Sequence, residues 1–481
     1  MRFAPVSAAL VILLSGWLHA QEPKPIELII HAREIETPLL KYRLLPAEME
    51  LKPGNAAPIL LRLPWDQTPW MAKVYPTLKE WESRPLSAPE WKSSAGVLPE
   101  SFYNEMKRAA FRREASWEYP IQETQSPYLI LLPDVQGLRG FLGYGLSARI
   151  RYHLSRGELE KAREGILVGL SNNRHVAQTP FYINQLVALA FHRTMLERTG
   201  ELISQPDSPN LYWALSTLPD SLIALDRATS LESDVFAMTF PAVNDLDRPR
   251  DAKEWSKMAG QLVELLHLIG EIAPLERPKE NASVVEQLLQ RLNAEAKTHL
   301  TRLVKQARAE LPGLLKISEE KVAAMSDDEA SVRWYMHMRL ARDQHAAAVL
   351  SLSPREALPQ LKRLQEEFRS MQEKTGAKKR DFPNPTSIYV SAWALRRKIE
   401  SLRIIEAVRH HLATHDGKLP ETLDEIKDVS IPLDPLTDRP FQWKVDGKTA
   451  ILKAPRLPAD VIETGSATDK AHDLEYQLQV K

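Results

Sequence analysis

Three histidines, His410, His411 and His415, stand together near the expected end of a long helix. Imidazole is a common zinc ligand, and residues four apart share a helix face, so His411 and His415 have the right chemistry and spacing for one ion. The glutamate that follows the first histidine in helical metalloproteases is missing, and no third carboxylate ligand accompanies the pair. A helix C-terminus also favours histidine because its dipole stabilises positive charge. The histidines are therefore read as structural, and no metal ligand is assigned.

Gly137, Gly140, Gly143 and Gly145 follow a strand-like run, Tyr128 to Leu132. Glycines after a strand can cradle phosphate. Their spacing matches neither a P-loop nor a dinucleotide fingerprint, and Pro133 and Asp134 interrupt the junction. Close helix packing accounts for them, so no cofactor is expected. Trp65, Trp70, Tyr75, Trp81 and Trp91 have the chemistry of a platform for glycans or peptides, but the same residues can clamp an irregular, proline-rich region. Lys378, Lys379 and Arg380 lie in a polar run, residues 374–384, that reads as a solvated linker. The chain has no Gly-x-Ser-x-Gly, no supported Ser-x-x-Lys and no His-Glu-x-x-His pattern. Catalytic residues stay unassigned.

The elements that would position these groups are mostly helices. The chain has 481 residues, 43% of them hydrophobic, with 18 glycines against 35 prolines. Scarce glycine and plentiful proline suit helices joined by stiff connectors. Residues 138–154 and 158–172 read as a helical hairpin reversed at Gly157, and Pro180 opens a third helix to about Arg198. The small residues and glycine turn of this hairpin are those of a tetratricopeptide-like unit, without a clean repeat. Ser283 with Glu286 forms a capping box ahead of a helical stripe running to residue 311, and Ser326 with Glu329 caps the next helix. Pro354 takes the first position of another helix. Ile26 to Ile30 reads as a strand, and Asp446 and Gly447 as a hairpin turn between strands 441–445 and 449–453.

Four segments are expected. Residues 1–20 carry Arg2, the apolar run Ala8 to Leu14 and a small residue, Ala20, which is the make-up of a secretory signal cleaved near Ala20. The apolar run is shorter than the roughly 20 residues of a membrane span, so no integral membrane protein is expected after cleavage; the rival reading is an uncleaved N-terminal anchor. Residues 21–135 form an irregular, aromatic- and proline-rich region; short helices and loops are expected there, among them a helix carrying Ile59, Leu60 and Leu63 after a turn at Pro53, Gly54 and Asn55. Residues 136–380 form helical hairpins and a bundle. Residues 381–481 form a long helix followed by a small β-hairpin. The fold class is mainly α with a small C-terminal α+β module. The 63 basic and 63 acidic residues cancel, which removes any global attraction to nucleic acid. There is no cysteine, hence no disulfide or thiol nucleophile.

Gly417, Leu419, Pro420, Leu423, Asp434, Pro435, Pro440, Phe441 and Trp443 follow the long helix in an order that resembles the globular part of the type II secretion major pseudopilins. The resemblance covers the last 90 or so residues. It implies a calcium loop, with Asp434 and Asp438 as the corresponding ligands. Leu436 and Thr437 replace the family's tryptophan–glycine step, and Arg396, Arg397 and Lys398 stand where the pilin helix is apolar. Polymerisation as a pilin is therefore not expected. Lys41 to Pro46 and Pro53 to Ala57 also resemble the start of a group of uncharacterised exported bacterial helical proteins, a likeness that implies export and no activity.

The expectation is a non-enzymatic, exported binding or scaffold protein of the cell envelope with protein partners. One alternative is an exported hydrolase with its site between the N-terminal aromatic region and the helices. Another is an accessory of a secretion system.

Overall fold

The structure is a computed structural model that describes residues 25–81, 84–92, 98–119, 123, 135, 137–268, 304–375, 385–457 and 473–481. It is mainly α with a small sheet. The strand-like run 128–132, the linker 376–384 and most of the stripe expected over 284–311 lie outside the described residues.

The N-terminal region holds a longer helix than expected. Asn55 accepts from the Ala57 N–H at 2.9 Å and so opens helix α1, Ala57–Trp81. Pro64, Pro69 and Pro76 lie inside it. Each removes one backbone donor, which usually breaks a helix. Burial of Leu60, Leu63, Leu78 and Trp81 along one face, against its neighbours, opposes that cost. Helix α2, Glu100–Ala110, buries Phe102, Met106, Ala109 and Ala110. Strands β2 (Lys52–Asn55) and β3 (Arg112–Glu114) pair at the foot of these helices.

A π-helical turn, Arg139–Gly145, runs into helix α3, Leu146–Ser155. The chain reverses at Gly157, whose φ of +70° is one that a side chain would strain. Helix α4, Leu159–Ala177, returns along α3, and α5, Tyr182–Ile203, packs back on α4. The short α6, Tyr212–Ser216, precedes α7, Leu225–Thr239, and α8, Ala252–Leu268. After the short α9, Glu319–Ala323, come α10, Asp327–Leu350, α11, Pro354–Thr375, and α12, Pro385–Thr414. The expected cap of α10 is present, with Ser326 Oγ accepting from the Glu329 N–H at 3.1 Å.

Strands β1 (Ile26–Ile30), β4 (Gln442–Asp446), β5 (Thr449–Lys453) and β6 (Glu475–Val480) form one sheet in the order β1-β6-β5-β4. The hairpin β4–β5 and the pair β5–β6 are antiparallel. β1 joins β6 in parallel, from Ile26 opposite Tyr476 to Ile30 opposite Val480. A parallel pair needs a crossover. Here the crossover is nearly the whole chain, so the first described strand completes the sheet of the last. One sheet face buries Leu28, Ile30, Ala450, Leu452, Tyr476 and Leu478. The main hydrophobic cluster runs from Leu28 through α2–α5 and α12 to Leu478, and a second one centres on Phe236, Trp255, Trp334 and Tyr335. Beyond β1, residues 31–36 lie along α12. The Arg33 N–H donates to the Arg409 carbonyl at 2.9 Å, and Arg409 Nε donates back to the His31 carbonyl at 3.0 Å. Among the described residues, no helix is long and apolar enough to cross a membrane.

Candidate functional site

The residues singled out by chemistry are largely committed to the fold. His410 Nδ1 accepts from the Ile35 N–H at 3.3 Å, which pins the segment after β1 to α12. His411 and His415 stack face to face, with ring centroids 3.8 Å apart. No group of three histidine, aspartate or glutamate side chains among the described residues is placed to hold a metal ion. Asp434 is fully buried. Its two carboxylate oxygens accept from Arg397 at 2.7 and 2.8 Å, and Thr437 donates to it at 2.6 Å. Asp438 is exposed in a left-handed turn, with φ of 56°. The two aspartates thus face different surroundings, and Asp434 is held by three side-chain hydrogen bonds. The basic run on α12 is spent in the same way. Arg396 pairs with Glu400 and with Asp220, Arg397 with Asp434, and Lys398 with Glu197.

Gly140, Gly143 and Gly145 lie in the buried π-helical turn before α3, and Gly137 precedes it. A Cβ on Gly145 would sit 2.9 Å from the Gly140 carbonyl, so close backbone packing explains the glycine there. Trp81 and Trp91 meet edge to face at 5.0 Å, Tyr75 meets Tyr144 at 5.2 Å, and both tryptophans are buried. They clamp α1 to the π-helical turn and to residues 89–92 rather than offer an open platform. The side chains of Trp65 and Trp70, and Lys378 to Arg380, lie outside the described residues.

A groove of about 510 Å³ opens instead where three helices converge. Helix α2 contributes Glu100, Tyr103, Asn104 and Lys107, spaced so that all four share one face. Helix α3 contributes Arg149, Tyr152 and His153, again on one face, and α4 contributes Lys161 and Glu164. The apolar stripe of α2 anchors it to the core, which leaves this polar stripe at the rim.

The charges in the groove are paired. Lys107 pairs with Glu164, and the Tyr103 hydroxyl donates to Glu164 at 3.1 Å. Burial, then the Glu164 charge, push the Tyr103 phenol above its usual range, so it stays a neutral donor. Arg149 lies 4.0 Å from the Tyr103 ring centre and reaches the Leu98 carbonyl at 3.4 Å and Glu100 at 2.7 Å. The Arg149 side chain is 13% exposed, whereas that of Glu100 is 66% exposed. The cation is held by its surroundings, and its carboxylate partner reaches it from solvent.

At the other end, His153 Nδ1 lies 2.6 Å from the Glu158 carboxylate. Burial lowers the His153 pKa, and Glu158 only partly opposes this. The hydrogen bond from His153 holds Glu158 down at about 2. These shifts describe a neutral imidazole that donates from Nδ1 to a carboxylate, which leaves Nε2 as an acceptor. Nε2 is buried and has no hydrogen-bond partner. A second hollow, of about 380 Å³, lies between α10 and α11, where His345 Nδ1 meets Glu367 at 2.8 Å. It has fewer polar groups and no tyrosine, phenylalanine or tryptophan.

None of the groove residues stood out as a motif in the sequence. The available signal was the polar stripe Glu100, Tyr103, Asn104 and Lys107 at helical spacing, and that stripe also describes any solvated helix face. No family model, curated protein or solved structure matches the chain.

Proposed function

We propose that the chain is an exported, non-enzymatic binding protein of the cell envelope, and that its ligand or partner sits in the groove between α2, α3 and α4. The observation that carries this reading is the convergence of polar and aromatic side chains from three helices on one hollow, with each charge neutralised in place. Such a surface offers hydrogen bonds and ring faces without a strong field, which suits selective binding.

Asn104 is exposed at the groove wall, so Asn104→Trp fills the hollow without entering the core. A surface change of this kind shifts stability by only about 0.5 kcal/mol. Residues 21–481 and the variant are used in parallel to capture material from the exported fraction. A species held in moderate salt by the native chain and lost by Asn104→Trp is the expected result. Equal capture by both chains would place binding elsewhere.

The hydrolase reading has one observation in its favour. A neutral histidine oriented by a carboxylate is the arrangement of a general base. Turnover of ester, amide or phosphoester substrates by the native chain, abolished by His153→Gln, would favour it over binding.

A further inference from the structure

Residues 34–42 form a strap after β1. The Arg33 N–H bond to the Arg409 carbonyl holds one end, and Arg163 donating to the Arg43 carbonyl holds the other. Between these ends a single side chain ties the strap to α12. The Ile35 N–H donates to His410 Nδ1 at 3.3 Å, and Ile35 packs on the main core. The other ring nitrogen, Nε2, lies 3.6 Å from the Asp428 carboxylate. The neutral ring therefore carries its proton on Nε2, towards Asp428, and its lone pair on Nδ1, towards Ile35. A protonated imidazole has two donors and no acceptor, so no ring flip restores the bond to Ile35. Protonation turns the Asp428 contact into an ion pair and puts a positive charge near the C-terminus of α12, where the helix dipole stabilises it. One state of the ring holds Ile35 and the other does not.

The neighbouring groups leave that choice to His410. On the strap, Glu36 accepts from Lys41 at 2.6 Å, from Arg33 at 2.9 Å and from Tyr42 at 3.1 Å. These bonds, that from Lys41 first, hold its carboxyl at about 2, so the strap stays closed on itself in mild acid. Burial first, then Arg409, lowers the His31 pKa. Burial first, then His415, lowers that of His411, against the charges of Glu425 and Asp428. Both rings thus resist protonation in mild acid. Arg409 donates to the His31 carbonyl at 3.0 Å, so the end of β1 keeps a tie that does not titrate.

We propose that Ile35 and His410 form an acid-released clasp: the neutral ring holds residues 34–42 to α12, and the imidazolium turns to Asp428 and lets them go while β1 stays in its sheet. The tie needs a neutral ring, so it is present at neutral pH and is lost towards mild acid, the range in which histidine gains its proton.

Residues 21–481 are titrated by NMR from about pH 7.5 to about pH 5, which brackets histidine protonation. Ring nitrogen shifts report the His410 tautomer. Amide exchange, expressed as protection relative to an unstructured chain, reports the strap. At the higher pH the His410 proton should sit on Nε2. On acidification the protection of Ile35 should fall about three- to tenfold, with the midpoint of His410 protonation, while Leu28 and Ile30 keep theirs. His410→Asn places an uncharged acceptor where Nδ1 stood and takes no proton, so Ile35 should be as protected at the lower pH as at the higher. His410→Ala should leave Ile35 weakly protected at both. A His410 proton on Nδ1 at the higher pH, Ile35 protection that does not follow His410 protonation, or an equal loss in His410→Asn and the native chain overturns the clasp. A loss spread evenly over Ile35, β1 and α10 also overturns it, because that is global opening driven by buried histidines such as His175 and His192.

Discussion

Arg397 and Asp434 show how a residue that reads as functional becomes structural. An aspartate before proline, in a loop that resembles a calcium site, was a reasonable ligand candidate. Its partner, Arg397, lies 37 residues upstream, and the sequence showed Arg397 only as a departure from an apolar helix. Pairing at that distance leaves no local signal, so neither half could be read correctly alone. Both side chains are almost wholly buried, and a pair broken on one side leaves an uncompensated charge. Asp434→Ala is predicted to cost about 3–5 kcal/mol in urea unfolding, whereas Asp438→Ala, at an exposed position, should cost less than about 0.5 kcal/mol. Chelator should leave the melting temperature of the native chain unchanged. A cost for Asp434→Ala no larger than that for Asp438→Ala would contradict the structural assignment.

Elements were legible where their signals were local. The strand at Ile26, the reversal at Gly157, the cap at Ser326 and the hairpin at Gly447 all rest on a few adjacent residues, and each is present. Only the start of α1, around Ile59, Leu60 and Leu63, was legible; its later prolines argue for breaks, while the burial that holds its full length together comes from other elements. The parallel union of β1 with β6 was equally hidden, since its two strands lie near opposite ends of the chain. The groove shows the same limit. Its three faces are visible one helix at a time, but their convergence is tertiary. Ile30, fully buried on β1, tests the union of the two ends. Ile30→Ala should destabilise by about 2–5 kcal/mol. It should also speed hydrogen exchange in β6 more than in α10. Uniform acceleration across both elements would mean that β1 has no special hold on the sheet.

The whole molecule should be sensitive to mild acid. Burial holds His175 at about 4 and His192 at about 3, against 6.5 for an exposed histidine. As pH falls below 6.5 the unfolded chain takes up these protons, while the folded chain refuses them until about 4 and 3. Stability is therefore complete above pH 6.5 and is lost progressively as pH falls towards 3. The melting temperature should drop between pH 7 and 5, before most carboxylates titrate, and His192→Leu should reduce that drop. An equal drop in the variant would remove His192 from the explanation. At this scale the mainly helical class with its small sheet was legible from composition and periodicity, whereas the location of a site was not. The proposal that the groove between α2, α3 and α4 is where this protein binds is tested most directly by a hydrogen-exchange footprint. The native chain would be compared free and loaded with whatever it captures from the exported fraction. Slowed exchange confined to residues 98–107, 149–153 and 161–164 is the predicted result. An unchanged groove, with protection on the β4 edge or between α10 and α11, would contradict the account.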